Sequence, residues 1–168
     1  MKQTLKYIYS VIFEQQKYSE SKHSILLTLS SAVIVFAATF TTSKNIFVLL
    51  LSSATIIFSL LAMLYSFSAL FSRSYKVKKK KEKKIVNLLY YKDIISYDTE
   101  SYLKQIVKLY GLKITKFDSF EIDLAQQIIA SSKAVNHKFR CFNYAITLLV
   151  LAIISILVCV VIVGAYYG

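Results

Sequence analysis

Polar side chains that could hold a small anionic ligand are concentrated in two segments of the sequence. Amide, phenol and carboxyl groups can hydrogen-bond a small ligand, and ammonium and guanidinium groups can pair with its negative charge. The candidate residues are Asn87, Tyr91, Lys92 and Asp93 in the first segment, and Gln127, Lys133, Asn136, Lys138 and Arg140 in the second. Most residues on such polar faces contact only solvent, so a minority of these nine is expected to touch a ligand.

The sequence lacks the residue combinations on which enzymes depend. His23 and His137 are far apart, and neither has a carboxylate at the spacing of a metal site or a catalytic triad. Three glycines are too few for a phosphate-binding loop. Cys141 and Cys159 lack the spacing of a metal site or a redox pair. We therefore expect no enzyme activity, no metal and no cofactor.

Three long uncharged segments indicate a membrane protein. The chain has 168 residues, of which 56% are hydrophobic, more than a soluble domain of this size needs. Membrane helices are predicted over residues 25–42, 46–71 and 144–166, because about 20 apolar residues span roughly 30 Å of hydrocarbon. The first is not interpreted as a cleaved signal, because its apolar part starts only after 24 polar and amphipathic residues.

Lysines and arginines set the predicted orientation. Most of the 21 Lys and Arg lie within residues 73–140, and the others lie mainly in residues 1–24. The positive-inside rule therefore places both segments in the cytoplasm and the C-terminus outside. The densest run, directly after the second membrane helix, comprises Arg73, Lys76, Lys78, Lys79, Lys80, Lys81, Lys83 and Lys84. We interpret it as a topology signal at the lipid headgroups and not as a nucleic-acid site, because its contiguous lysines have no interleaved aromatic residues.

Residues 73–140 are predicted to form a basic cytoplasmic helical module that acts as a sensor. One helix is expected to continue from the second membrane helix to about Tyr91. Another is expected between an N-cap at Asp98 and a stop at Gly111, with Tyr102, Leu103, Ile106, Val107 and Tyr110 on its apolar face. The last is expected to begin near an N-cap at Thr115 and to run into the third membrane helix, with Phe117, Phe120, Leu124, Ile128, Val135 and Phe139 on one face. The fold class is therefore all-α, with three membrane helices and a small cytoplasmic helical module.

Small and hydroxylated residues form a stripe on each of the first two membrane helices. In the first helix the stripe contains Ser24, Thr28, Ser31 and Ala38, and in the second it contains Ser52, Thr55, Ser59, Ala62, Ser66 and Ala69. Such stripes let helices approach closely in lipid. Two interpretations remain open, namely packing between helices of one chain and contact between subunits.

Two stretches resemble the membrane effectors of bacterial Pycsar anti-phage systems. Residues 19–34, SESKHSILLTLSSAVI, are similar to the start of that family, with matches at Glu20, Lys22 and the ILLT run. Residues 122–140, IDLAQQIIASSKAVNHKFR, are similar to the segment before its last membrane helix. The matches there are Asp123 and Leu124, Gln127 and Ile128, Ser132 and Lys133, and Lys138, Phe139 and Arg140. Residues 88–106 fit the middle of the family, and the three membrane helices agree in order and spacing.

The resemblance implies an effector that waits inactive in the bacterial inner membrane. In that family a cyclase answers infection with a cyclic pyrimidine mononucleotide, and the effector that binds it impairs membrane integrity in abortive infection. Moving a two-state protein from about 1% to about 99% active needs roughly 5.5 kcal/mol of differential binding, more than one monoanion usually supplies. We therefore expect a homo-oligomer that sums the binding of several ligands.

Two other functions fit the residues without the resemblance. A constitutive membrane toxin similar to a holin would depolarise cells whenever it is expressed. A membrane-anchored scaffold would bind a protein through residues 73–140 and would not be toxic. The lipid bilayer is a partner in all three cases, and a nucleic-acid polymer in none.

Overall fold

Helices make up most of the described chain. The computed structural model describes residues 1–71, 87–113 and 116–167, with side chains up to residue 165. These residues form α1 (Lys2–Ala38), α2 (Ile46–Leu70), α3 (Tyr91–Ile94), α4 (Thr99–Leu109) and α5 (Ser119–Tyr167), and no strand occurs among them. Within these ranges α1, α2 and α5 are long and apolar enough to cross a membrane. The prediction of an all-α protein with three membrane helices is confirmed.

The chain divides into two compact units. The first unit consists of Met1–Ser19 and Ser72–Lys138, and the second consists of Glu20–Phe71 and Phe139–Gly168. The helices α1 and α5 contribute to both units, because neither helix is interrupted where the chain passes from one unit to the other.

Four helices contribute buried residues to the first unit. Their fully or nearly fully buried side chains are Leu5, Ile8 and Ile12 from α1, Ile94 from α3, Tyr102, Leu103 and Ile106 from α4, and Ala125, Ile128, Ile129 and Val135 from α5. The amphipathic character of residues 1–24 did not by itself predict which side chains of α1 are buried in the first unit. The spacing of Leu5, Ile8 and Ile12 by three and four residues is the sequence signal that could have revealed them.

The predicted ends of α4 are largely confirmed. The Asp98 side chain accepts a hydrogen bond from the Ser101 backbone N–H at 2.9 Å and so caps the helix. Gly111 follows the helix with a φ of 63°, a left-handed conformation that favours glycine. The placement of Tyr110 on the apolar face was wrong. Tyr110 is the C-cap residue and is exposed, because the helix ends before it could bring this side chain onto the buried face.

The start of α5 differs from the prediction. Thr115 lies outside the described residues, but the helix begins only at Ser119, so an N-cap at Thr115 was wrong. Asp118 Oδ1 accepts from the Glu121 backbone N–H at 2.8 Å, and Glu121 Oε2 accepts from the Asp118 backbone N–H at 3.3 Å. This reciprocal capping box fixes the first turn. Phe120, expected on the buried face, is exposed there, with the Lys2 ammonium 5.8 Å from its ring centre.

An ion pair joins the start of α1 to the residue that precedes α5. Lys2 Nζ lies 2.6 Å from Asp118 Oδ2. Hydrogen bonding to Lys2 lowers the pKa of Asp118, and the same hydrogen bond raises the pKa of Lys2. A carboxyl with a lowered pKa stabilises the fold above its unfolded pKa and loses this effect as the pH falls through the folded value. An ammonium with a raised pKa loses its effect as the pH rises through its folded value.

The ion pair is therefore expected to stabilise the first unit between about pH 4 and about pH 10. Asp118→Asn keeps a side chain that can cap α5 but removes the charge, so we expect a small loss of thermal stability within this window. The loss should vanish when the pH falls below the lowered pKa of Asp118. The control is Asp123→Asn, which removes an exposed carboxylate elsewhere on α5. A stability difference between wild type and Asp118→Asn that does not shrink as the pH falls through the acid range would contradict the assignment.

The second membrane helix has nearly the predicted bounds, but it does not continue beyond Phe71. Phe71, the C-cap residue of α2, has an extended backbone with ψ of 130°, and residues 87–90 are not helical. The expected continuous helix to Tyr91 was therefore wrong. The basic run lies outside the described residues, namely Arg73, Lys76, Lys78, Lys79, Lys80, Lys81, Lys83 and Lys84.

The stripe on α2 lies inside the second unit. All six of its residues are buried, namely Ser52, Thr55, Ser59, Ala62, Ser66 and Ala69. The neighbouring helix is α5, whose Ser155 Oγ donates to the Leu51 carbonyl of α2 at 3.0 Å. Nearer the other end, Ser68 Oγ lies 3.8 Å from Cys141 Sγ. Small side chains on α2 therefore allow close packing within one chain.

The stripe on α1 has the opposite placement. Ser24, Thr28, Ser31 and Ala38 are all exposed, and the three hydroxyls donate to carbonyls of their own helix. The buried side of α1 in the second unit is formed instead by His23, Leu26, Ser30 and Ala37. The two stripes share a sequence pattern, but only that of α2 packs within the chain.

Candidate functional site

A short turn carries the first group of candidate residues in the first unit. The Asn87 side chain accepts a hydrogen bond from the Leu89 backbone N–H at 2.8 Å, which shapes the entry to α3. The α3 helix is a single turn, and Ser96 Oγ closes it by donating to the Asp93 carbonyl at 2.6 Å. The side chain of Asn87 therefore has a local structural role, and the consecutive residues 91–93 form the part of the turn suited to a ligand.

The turn combines an aromatic ring, a cation and a carboxylate. Tyr91 is buried and its ring centre lies 4.9 Å from that of Tyr90. The Lys92 ammonium is exposed and lies 5.9 Å and 6.0 Å from the two ring centres. Burial, followed by the neighbouring Tyr90, raises the pKa of Tyr91 to about 12. The Tyr91 phenol is therefore a hydrogen-bond donor throughout the physiological range.

A buried tyrosine on α4 contacts the chain on both sides of this turn. The Tyr102 hydroxyl donates to the Leu88 carbonyl at 3.2 Å, and its ring centre lies 5.7 Å from that of Tyr97. Burial raises the pKa of Tyr102 far above its usual value, so the hydroxyl stays protonated as the donor. Tyr102 thus connects the segments on both sides of α3 to α4.

The second group of candidate residues divides between two sides of α5. At 3.6 residues per turn, Lys133, Asn136 and Arg140 recur on one side of the helix. Gln127 and Lys138, about three turns apart, lie on the opposite side. Gln127 and Arg140 are exposed, Lys133 and Asn136 are half-buried, and Lys138 is buried. Arg140 belongs to the second unit. The nine residues therefore do not form one cluster, and their role in binding stays a prediction.

The first unit contains the types of side chain that an anion carrying a ring would need. Lys92 and Lys133 can each pair with a phosphate, Tyr91 can donate to a base or a sugar, and Asp93 can accept from an exocyclic amine. Among the residues that the structure describes, no group of three or more His, Cys, Asp or Glu could hold a metal ion.

A further cationic and aromatic cluster in the second unit was missed as a candidate. The Lys22 ammonium lies 5.6 Å from the ring centre of Phe139 and 5.2 Å from that of Phe142. The buried His23 ring meets Phe142 edge-on at 5.7 Å. Sequence reasoning placed Lys22 in the family resemblance without a partner. Two aromatic residues three positions apart, and hence on one side of a helix, were the available signal.

Comparison with protein families gives one match over most of the chain. A family described as "Pycsar effector protein domain" matches residues 4–165. No curated protein and no solved structure matches the chain.

Proposed function

This chain belongs to the Pycsar effector family, and we propose that a cyclic nucleotide activates it and that the active form impairs the membrane. It is an anti-phage membrane effector of a cyclase-linked system. The proposed ligand is a cyclic pyrimidine mononucleotide. The proposed location is the bacterial inner membrane, with residues 1–24 and 73–140 in the cytoplasm and the C-terminus outside. The effector is proposed to act without catalysis and without a cofactor.

One observation supports the activation proposal above the others. Lys133 and Asn136, on the α5 part of the first unit, belong to the same unbroken helix that continues through the membrane-spanning residues. A ligand that prefers one arrangement of the first unit therefore acts on a helix that the second unit also uses. Such a ligand shifts the population only by the difference between its affinities for the two states.

We also propose that the effector is a homo-oligomer. The α2 stripe is buried within the chain. The α1 stripe, by contrast, is exposed on the surface of the second unit, with Ser24, Thr28, Ser31 and Ala38. The outer sides of α2 and α5 carry mostly large apolar residues, which suit lipid. The α1 stripe is therefore the surface that we assign to contact between subunits. Mass measurements of the protein in detergent that gave a monomer with and without nucleotide would exclude the oligomer.

The activation proposal is tested by equilibrium binding. Purified protein in nanodiscs would be titrated calorimetrically with a panel of cyclic mononucleotides and cyclic dinucleotides. Selective binding of a cyclic pyrimidine mononucleotide at micromolar concentration or below is the expected result. Binding of none would favour the constitutive toxin, if expression alone depolarises cells, or the scaffold, if it does not.

Charge removal within the first unit tests the assignment of the binding residues. We expect the double variant Lys92→Gln/Lys133→Gln to bind the nucleotide at least tenfold more weakly, because hydrogen bonds to charged groups contribute roughly 1.5–3 kcal/mol. Lys108→Gln, which removes an exposed cation from α4, is the matched control and should bind as wild type does. Unchanged affinity of the double variant, measured by the same calorimetry, would remove these two residues from the site.

A further inference from the structure

The interior of the second unit contains hydroxyl groups without an evident structural role. Ser30 of α1 and Ser59 and Ser66 of α2 are fully buried. Within the described part of the chain, their Oγ atoms have no hydrogen-bond partner. The nearby Ser52 and Thr55 differ, because each donates to a carbonyl of its own helix at 3.0 Å and 2.8 Å.

Close packing alone does not account for these three serines. Ala62 and Ala145 occupy equivalent interior positions and allow the helices to approach without a polar group. In hydrocarbon an unsatisfied hydroxyl costs free energy, because no water reaches it. Three unsatisfied hydroxyls in such an interior carry a penalty that water would relieve.

The hydroxyls lie on both sides of an apolar layer. That layer contains Leu26, Ala62, Ala145 and Leu149. Ser30 follows Leu26 on α1 by one turn, and Ser59 precedes Ala62 on α2 by about one turn. Since α1 and α2 are antiparallel neighbours in this layer, Ser30 and Ser59 lie toward the same end of the unit.

Ser66 lies on the other side of the Leu26 layer. Ser66 follows Ala62 by one turn, and His23 precedes Leu26 by about one turn, so both lie toward the opposite end. A second apolar layer, formed by Ala37, Val48, Ile156 and Cys159, closes the end beyond Ser30 and Ser59. Polar and apolar layers therefore alternate along the interior.

We propose that the interior of the three membrane helices of one chain is a latent water path, lined by Ser30, Ser59 and Ser66 and sealed by two apolar layers, the Leu26 layer and the layer of Ala37, Val48, Ile156 and Cys159. Hydrophobic constrictions close such paths by excluding water. When the layers loosen, water hydrogen-bonds the serine hydroxyls, and protons cross along the hydrogen-bonded water. The inference rests on the proposed membrane impairment and assigns it to a place within the chain.

The experiment measures proton leak in liposomes that contain the purified full-length protein and a trapped pH-sensitive dye. Leu26→Ser/Val48→Ser places a hydroxyl in each sealing layer, and we expect this double variant to raise the rate of proton leak at least tenfold over wild type with no nucleotide present. Leu149→Ser/Ile156→Ser, which changes the same two layers from α5, should do the same. Circular dichroism and elution volume show whether each variant remains folded.

A second comparison tests the serines themselves. Adding Ser30→Ala/Ser59→Ala to Leu26→Ser/Val48→Ser should return the leak to the wild-type rate. The control adds Ser53→Ala/Thr147→Ala, which removes two hydroxyls that are not fully buried from the same unit, and should leave the leak high. Equal effects of the two pairs, or a wild-type leak from folded forms of both layer-opening double variants, would overturn the proposal. A leak from Leu26→Ser/Val48→Ser in a protein that binds no nucleotide would support the path while removing the proposed activation.

Discussion

Replacing Tyr102 with alanine is expected to lower the free energy of unfolding of the first unit by about 3–5 kcal/mol, as for other large buried aromatic residues. Tyr102 is fully buried, its ring contacts that of Tyr97, and its hydroxyl holds the Leu88 carbonyl at 3.2 Å. The substitution removes all three contributions at once. Since compact units are stable by only about 5–15 kcal/mol, the turn of residues 91–93 should lose its defined structure.

Hydrogen exchange measured residue by residue checks this expectation, because it reports on each unit separately. Amides of α4 should lose protection by at least a hundredfold, at about tenfold for each 1.4 kcal/mol. Amides of α2, in the other unit, should keep theirs. Tyr102→Phe keeps the ring and should cost about 1 kcal/mol. Tyr110→Ala, at an exposed position, should change protection little. Similar losses from Tyr102→Ala and Tyr110→Ala would contradict the central role of Tyr102.

Enlarging Ala62 is expected to have the largest effect in the second unit. Ala62 is fully buried between Leu26, Ala145 and Leu149, so a leucine there has no space to enter. Interiors of helical proteins resist such overpacking at a cost of about 1–3 kcal/mol, because side chains and helices must shift. Ala62→Leu should therefore lower the thermal stability of the protein in detergent.

The matched control for Ala62→Leu makes the same change at an exposed position. Ala165 lies near the end of α5 on its outer side, where added methyl groups can contact lipid or detergent. Ala165→Leu should leave the melting temperature near that of wild type. If the two variants melted together, close approach of the helices at Ala62 would not be needed for stability.

The features that depend on neighbouring residues along the chain could be predicted from sequence. The three membrane helices follow from uninterrupted apolar length, and α2 begins at Ile46 after its Asn45 cap. The Asp98 cap and the Gly111 stop follow from the chemistry of single side chains. The capping box of Asp118 and Glu121 was also present in the sequence, but Thr115 offered an equally ordinary cap three residues earlier.

The features that depend on distant partners could not be predicted in the same way. Phe120 fits the apolar periodicity of α5, yet its side chain is exposed and lies near the ammonium groups of Lys2 and Lys6. The stripes of α1 and α2 have the same spacing, and only tertiary packing decides that the second is covered. The candidate residues on α5 were grouped by proximity in sequence, whereas helical rotation separates Lys133 from Lys138 by about half a turn.

The burial of Leu5, Ile8 and Ile12 in the first unit has a consequence for biosynthesis. These residues leave the ribosome long before their partners on α4 and α5, and two membrane helices lie between them in sequence. Contacts between residues so far apart in the chain form late, because a long loop must close first. The first unit therefore cannot be completed until α5 has been synthesised, and a nascent chain that stalls before α5 lacks the buried residues that this helix contributes.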